Sequence, residues 1–214
     1  MLINHAVDEI LYHALESGVT KSEADQLMAE CPTDMLLMAA RRIRDRSKPY
    51  IITYSRKVFI NLINLCRDTC TYCTYKKEPN SPMLSMLNPS QVHAVAEAGK
   101  KFCCTEALFV TGERPEQKYE QARTWLHSLG YSSTIEYVCH MSELVLEKTG
   151  LLPHTNAGSI TKKEMAMLQD TNISLGLMLE TSSERLMEKG MPHEYAPSKN
   201  PKVRIKTLKS AGEL

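Results

Sequence analysis

Lys57-Val58-Phe59-Ile60-Asn61-Leu62-Ile63 runs without a break into Asn64-Leu65-Cys66-Arg67-Asp68-Thr69-Cys70-Thr71-Tyr72-Cys73. The first seven residues are apolar and β-branched, the composition of a buried strand. The loop behind them holds three cysteines spaced C-x3-C-x2-C. Parallel α/β folds place their sites at the carboxyl ends of strands. A strand ending on a thiol-rich loop therefore points to a fold class and locates its chemistry.

Strands and helices alternate onward from Tyr50. Asn88-Pro89-Ser90 opens a helix reaching about Lys101, and Thr105–Thr111 is a second strand stopped by Gly112. Helices are expected over Gln117–Leu129 and Ser133–Lys148, the latter closed by Gly150. Leu151–Asn156 is a weaker third strand, and Thr161-Lys162-Lys163-Glu164 has the capping-box form of a helix start. Ile173–Leu179 reads as a fourth strand and Pro201–Ala211 as its helix. This order predicts a parallel sheet covered by helices and curling toward a barrel. About four such units are visible, whereas a complete eight-unit barrel takes roughly 250 residues. The expected fold is a partial barrel, cut short.

The stretch before Tyr50 is different. Ile10, Leu11, Ala14 and Leu15 recur at helical spacing, Thr20 to Glu23 forms a second capping box, and Asp34–Arg46 carries Leu36, Leu37, Ala40 and Ile43 on one face. It holds no recognisable chemistry and reads as a packing element. The expected division is thus a helical extension over 1–49 and the barrel portion over 50–214.

Composition narrows the class. The 214 residues are 43% hydrophobic and 24% charged, with a formal net charge of +1. That balance suits one globular core and gives no field favouring nucleic acid or an anionic membrane. No apolar run approaches the roughly 18 residues of a membrane span, and Met1–His5 lacks the basic start of a leader. Seven cysteines, an odd number with Cys103 and Cys104 adjacent, do not form a disulfide framework and suit a reducing cytoplasm.

Cys66, Cys70 and Cys73 bring three thiolates to one centre with no fourth close by. An iron–sulfur cluster held in that way keeps one iron open to a non-protein ligand. The alternative is structural zinc, which takes four ligands, usually as two short pairs. Cys31, Cys103, Cys104 and Cys139 are expected as ordinary core residues. Three other strand ends could face the same pocket: Gly112-Glu113, then His154 and Asn156 with Gly158, then Glu180, with Arg185 near enough to pair with it. Each also has a plain reading as a turn, a hydrogen-bonded structural residue or a cap.

With Tyr72 before the last cysteine, the pattern C-x3-C-x-aromatic-C resembles the radical S-adenosylmethionine (SAM) enzymes. The flanking strings resemble one family among them, the 7,8-didemethyl-8-hydroxy-5-deazariboflavin synthases that build the chromophore of coenzyme F-420. These strings are Tyr54–Ile60 with Asn64–Asp68, Glu106–Phe109 with Gly112–Glu116, Gly150–His154, Gly176–Thr181 with Ser183–Leu186, and Lys189-Gly190 with Pro192-His193 and Arg204. The similarity covers roughly residues 50 to 214. Asn61 and Ile63 stand where proline and threonine are expected, and Ala157 where proline is usual.

The resemblance implies a 4Fe-4S cluster on Cys66, Cys70 and Cys73, and SAM bound with help from Tyr72, Gly112, Glu113, Glu180 and Arg185. It implies a lyase that cyclises a tyrosine-derived ribityluracil adduct, 5-amino-5-(4-hydroxybenzyl)-6-(D-ribitylimino)-5,6-dihydrouracil, with loss of ammonia after hydrogen abstraction by a 5′-deoxyadenosyl radical. Expected partners are an external electron donor, the sister radical SAM subunit and a chain supplying the rest of the barrel. Biotin-synthase-like radical chemistry and a non-catalytic zinc-binding fragment are the competing readings.

Overall fold

A computed structural model of the protein describes residues 5–214. Residues 1–4, read above as lacking a leader, and the side chain of Leu15 lie outside the described residues. The chain forms two compact units, Met1–Tyr54 and Ser55–Leu214.

The first unit is helical: α1 His5–Ser17, α2 Lys21–Glu30 and α3 Thr33–Ser47. The Thr20 hydroxyl accepts from the Glu23 amide and Glu23 reaches back to the Thr20 amide, completing the capping box. Its core is small, made of Val7, Ile10 and Leu27 with Leu11, Cys31 and Leu36 packed around them. The apolar stripe expected on α3 is not buried, because Leu37 and Ile43 are exposed.

The second unit alternates strand and helix: β1 Lys57–Ile63, α4 Pro89–Lys101, β2 Glu106–Thr111, α5 Glu120–Ser128, α6 Thr134–Thr149, β3 Leu152–Asn156, α7 Lys162–Gln169, β4 Ser174–Leu175 and α8 Pro201–Gly212. All three strand pairings are parallel, in the order β1-β2-β3-β4. Ile60 and Leu62 of β1, Ala107 and Phe109 of β2, and Pro153 and Thr155 of β3 are buried. They belong to one set of alternate positions, the period of a strand with one covered face. Ile135, Tyr137, Val138, Met141 and Val145 of α6 share that core. Phe59 and Asn61, on the other face of β1, are exposed.

Two expectations need correction. The fourth strand is two residues rather than seven. Gly176 still donates to Thr155 (2.7 Å), but β3 ends at Asn156, so later residues have no ladder partner on that side. The helix expected from Gln117 starts as a short 3₁₀ turn, Pro115–Gln117, with α5 proper beginning at Glu120. Remaining boundaries fall within two residues of expectation, and caps set the starts of α4, α6 and α7. Asn88, Ser133 and Thr161 each accept an amide hydrogen bond three residues on. Thr161→Ala is expected to cost about 1 kcal/mol, read as a lower urea midpoint with an unchanged slope.

Candidate functional site

Four segments meet at the carboxyl ends of the strands. Gly112 donates to Ile63 O (2.8 Å) and Arg67 N to Glu113 O (2.8 Å), which sews the cysteine loop to the end of β2. The Tyr75 hydroxyl bridges Ile63 O (3.0 Å) and Val110 O (3.1 Å), returning the loop to the same strand ends. Across the loop, Thr69 N donates to Tyr195 O (2.8 Å) and Thr71 N to Pro192 O (3.1 Å). Arg67 also bonds the hydroxyl of Ser198, whose amide donates to Asp68 Oδ1 (3.4 Å).

The cleft so formed, about 170 Å³, is lined by Cys66, Cys70 and Cys73 together with Tyr72, Gly112, Glu113, Asn156, Gly158, Lys199 and Arg204. Cys66 Sγ accepts the Glu113 amide (3.2 Å) and Cys73 Sγ the Lys76 amide (3.4 Å). Burial pushes the Cys66 thiol up to about 11, opposed by its amide hydrogen bonds, and the Cys70 thiol also rises through burial. Free thiolates are therefore disfavoured at Cys66 and Cys70, and binding a metal would have to displace their protons. Among the described residues no three His, Cys, Asp or Glu side chains are gathered closely enough to hold a metal ion in this conformation. The donor set itself fits an iron–sulfur cluster: three sulfurs of one loop on one cleft, two of them already accepting N–H bonds.

Glu113 is a buried carboxyl of the site. It is 6% exposed, accepts from Ser159 N at 3.1 and 3.2 Å, and lies 3.5 Å from an Arg204 Nη. Gly158 permits this approach, since a Cβ there would sit 1.8 Å from Glu113 Oε2. Burial pushes the Glu113 carboxyl up to about 7, with Arg204 pulling it down and Asp68 raising it. An acid whose pKa is higher in the folded chain adds stability at low pH that is lost as pH rises, here from about 4.5 to about 7. The stability of Glu113→Gln relative to the parent should therefore increase between pH 4.5 and 8 by up to about 3 kcal/mol. Urea unfolding at both pH values measures it, and a constant difference contradicts the assignment.

Glu180 has a left-handed backbone (φ +67°) and pairs with Lys199, not Arg185. Arg185 is exposed on the 3₁₀ turn Glu184–Met187 and, among the described residues, forms no ion pair. The buried cation is Arg204, 3% exposed, donating to Ser198 O (2.9 Å) and Met178 O (2.8 Å). His154 bonds Ser174 Oγ (2.6 Å) and so ties β3 to β4, its plain structural reading. Cys103 is exposed with φ +57°, in the turn after α4, while Cys31, Cys104 and Cys139 are half-buried. None of the four is a fully buried core thiol.

Sequence reasoning assigned no role to Arg204, Lys199, Asp68 or His193. Arg204 and Lys199 flank a helix start rich in lysine, where a buried cation reads like a solvated one. Asp68 and His193 are 3% and 1% exposed. The available signal was position: Asp68 lies inside the cysteine loop.

No protein-family model matches the chain. The chain is 47% identical over 164 residues to the 7,8-didemethyl-8-hydroxy-5-deazariboflavin synthase of Methanopyrus kandleri, a match covering 77% of this chain and 49% of that one. It is 39% identical over 228 residues to the FO synthase of Mycobacterium tuberculosis, covering 100% of this chain and 26% of the relative. The chain thus spans from about a quarter to about half the length of these curated relatives. Among solved structures it resembles the FeFe-hydrogenase maturase HydG of Carboxydothermus hydrogenoformans (TM-score 0.76, 19% identity, 98% of this chain and 46% of that one). It also resembles methylornithine synthase PylB (TM-score 0.68, 16% identity, 97% and 56%). The fold is a partial (β/α) barrel like that of these two structures, and the chain is a homologue of the deazariboflavin synthases.

Proposed function

We propose that this homologue of the deazariboflavin synthases forms the cofactor-binding part of a radical SAM lyase that makes a deazaflavin chromophore. The observation carrying the proposal is the convergence of Cys66, Cys70 and Cys73 on one cleft with Tyr72, Gly112 and the buried Glu113–Arg204 pair. In this reading the three cysteines hold a 4Fe-4S cluster, which supplies one-electron reductive cleavage of SAM when both are bound. The protein positions and shields that chemistry.

The chain's own residues have distinct tasks. Glu113 and Arg204 present opposite charges to the amino and carboxylate ends of an amino-acid-like ligand. Gly112 lets the cysteine loop pack directly on the end of β2 beside the ligand, and Tyr72 offers a ring for a base to stack on. Lys199 holds Glu180 at the rim, where a carboxylate could accept from sugar hydroxyls; Arg185 remains a peripheral candidate. The substrate is the tyrosine-derived ribityluracil adduct, the partners are an external one-electron donor and the sister radical SAM protein that makes the adduct, and the compartment is a reducing cytoplasm. No helix of the described residues is long and apolar enough to cross a membrane.

Anaerobic reconstitution with iron and sulfide, followed by SAM, a reductant and the adduct, tests the proposal. The expected outcome is a broad absorbance near roughly 400 nm with about four irons per chain and SAM-dependent formation of a fluorescent deazaflavin. Stoichiometric zinc without iron, or a loaded protein that forms no 5′-deoxyadenosine, overturns it.

A further inference from the structure

The cysteine loop is braced by a segment about 120 residues away along the chain. Thr69 and Thr71 bond the backbone of Tyr195 and Pro192, and between those two contacts His193 meets Tyr72. The Tyr72 hydroxyl and His193 Nε2 are 2.7 Å apart, with ring centroids at 5.5 Å and planes inclined by 58°. His193 is 1% exposed, whereas Tyr72 is 53% exposed at the cleft. The imidazole is thus the fixed member of the pair and the phenol the one presented outward.

The other imidazole nitrogen shows that packing alone does not account for this histidine. Nδ1 is buried and, among the described residues, has no hydrogen-bond partner. An unpaired buried polar atom is unfavourable, and an apolar ring of similar size would fill the space without one. What histidine adds over such a ring is its bond to Tyr72. That bond anchors the hydroxyl of a half-exposed side chain, and with it the direction of the ring axis set by the first torsion, alongside a side-chain hydrogen bond between Tyr72 and Cys70.

We propose that His193 is a positioning residue: it locks the Tyr72 ring at the cleft so that a purine base stacks on a preformed surface. The inference rests on the reading of the cleft as a cluster-and-SAM site. Preorganisation of this kind raises affinity by removing an ordering cost, and a rigid ring is a better stacking platform than a mobile one.

The test uses His193→Phe, His193→Gln (whose amide can occupy the position of Nε2), Tyr72→Phe, and the double variant His193→Phe/Tyr72→Phe. Before any metal is added, tyrosine labelled at Cζ reports the phenol, with the Tyr72 resonance identified by its loss in Tyr72→Phe. That resonance is expected to move in His193→Phe and to return toward its original position in His193→Gln. After anaerobic reconstitution, iron and sulfide content is expected to match the parent in all four variants. SAM should bind about tenfold more weakly to His193→Phe and Tyr72→Phe, no more weakly still to the double variant, and within about threefold of the parent in His193→Gln. Unchanged SAM affinity in His193→Phe with normal iron content overturns the proposal, as do additive losses in the double variant. Loss of iron together with a large fall in thermal midpoint in His193→Phe also overturns it, by showing a merely structural role. A parent protein that assembles no cluster defeats the parent reading and this inference with it, a result distinct from the others.

Discussion

Gly112→Ala is expected to cost about 3 kcal/mol or more, a large part of the 5–15 kcal/mol that stabilises a typical domain. The added Cβ would lie 1.8 Å from Leu65 O, 2.6 Å from Leu65 C and 2.8 Å from Cys66 Cα. All three are backbone atoms of the cysteine loop, so no side chain can swing aside. Relief requires the loop to move away from β2, which breaks Gly112 N to Ile63 O and Arg67 N to Glu113 O together. Gly212→Ala is the control: nothing lies within 4 Å of its added Cβ, and no more than a few tenths of a kcal/mol is expected. Urea midpoints of the two variants should separate clearly. Parent-like stability in Gly112→Ala would mean that the loop and strand do not approach as described.

Cys70→Ala should abolish iron loading, from about four irons to essentially none, while leaving the far-ultraviolet circular dichroism spectrum unchanged. Cys70 is half-buried and sits in a loop held chiefly by backbone bonds through Thr69, Thr71 and Arg67. Removing its sulfur therefore deletes a ligand with little loss of packing, on the order of 1 kcal/mol. Cys103→Ala removes an exposed thiol outside the cleft and should load normally. Retained iron in Cys70→Ala, or loss of iron in Cys103→Ala, would require a different ligand set.

The fold was largely legible because its signals are local. Lys57–Ile63 announces a strand through side chains that crowd their own backbone, and Asn88, Ser133 and Thr161 announce helices through bonds spanning three residues. The fourth strand was overread. Apolar composition shows what a segment can bury, whereas its length as a strand depends on where β3 runs out of carbonyls. The site divides in the same way. Cys66, Cys70 and Cys73 share one loop, and their spacing alone places them on one cleft; Glu113 follows a strand whose end could be placed. Arg204 and Lys199 reach the cleft, and His193 reaches Tyr72 behind it, from a segment more than a hundred residues beyond the cysteine loop.

By itself the sequence determined the order of strands and helices, the loop on which the thiols sit and the family likeness that the relatives bear out. Each of these depends on residues a few positions apart. Only the tertiary structure decided which cation is buried beside Glu113, that Glu180 pairs with Lys199, and that His193 braces Tyr72. Charges and rings distant in sequence are interchangeable in a linear reading. They become distinct when backbone hydrogen bonds bring two loops within 3 Å and burial makes each neighbour's charge count.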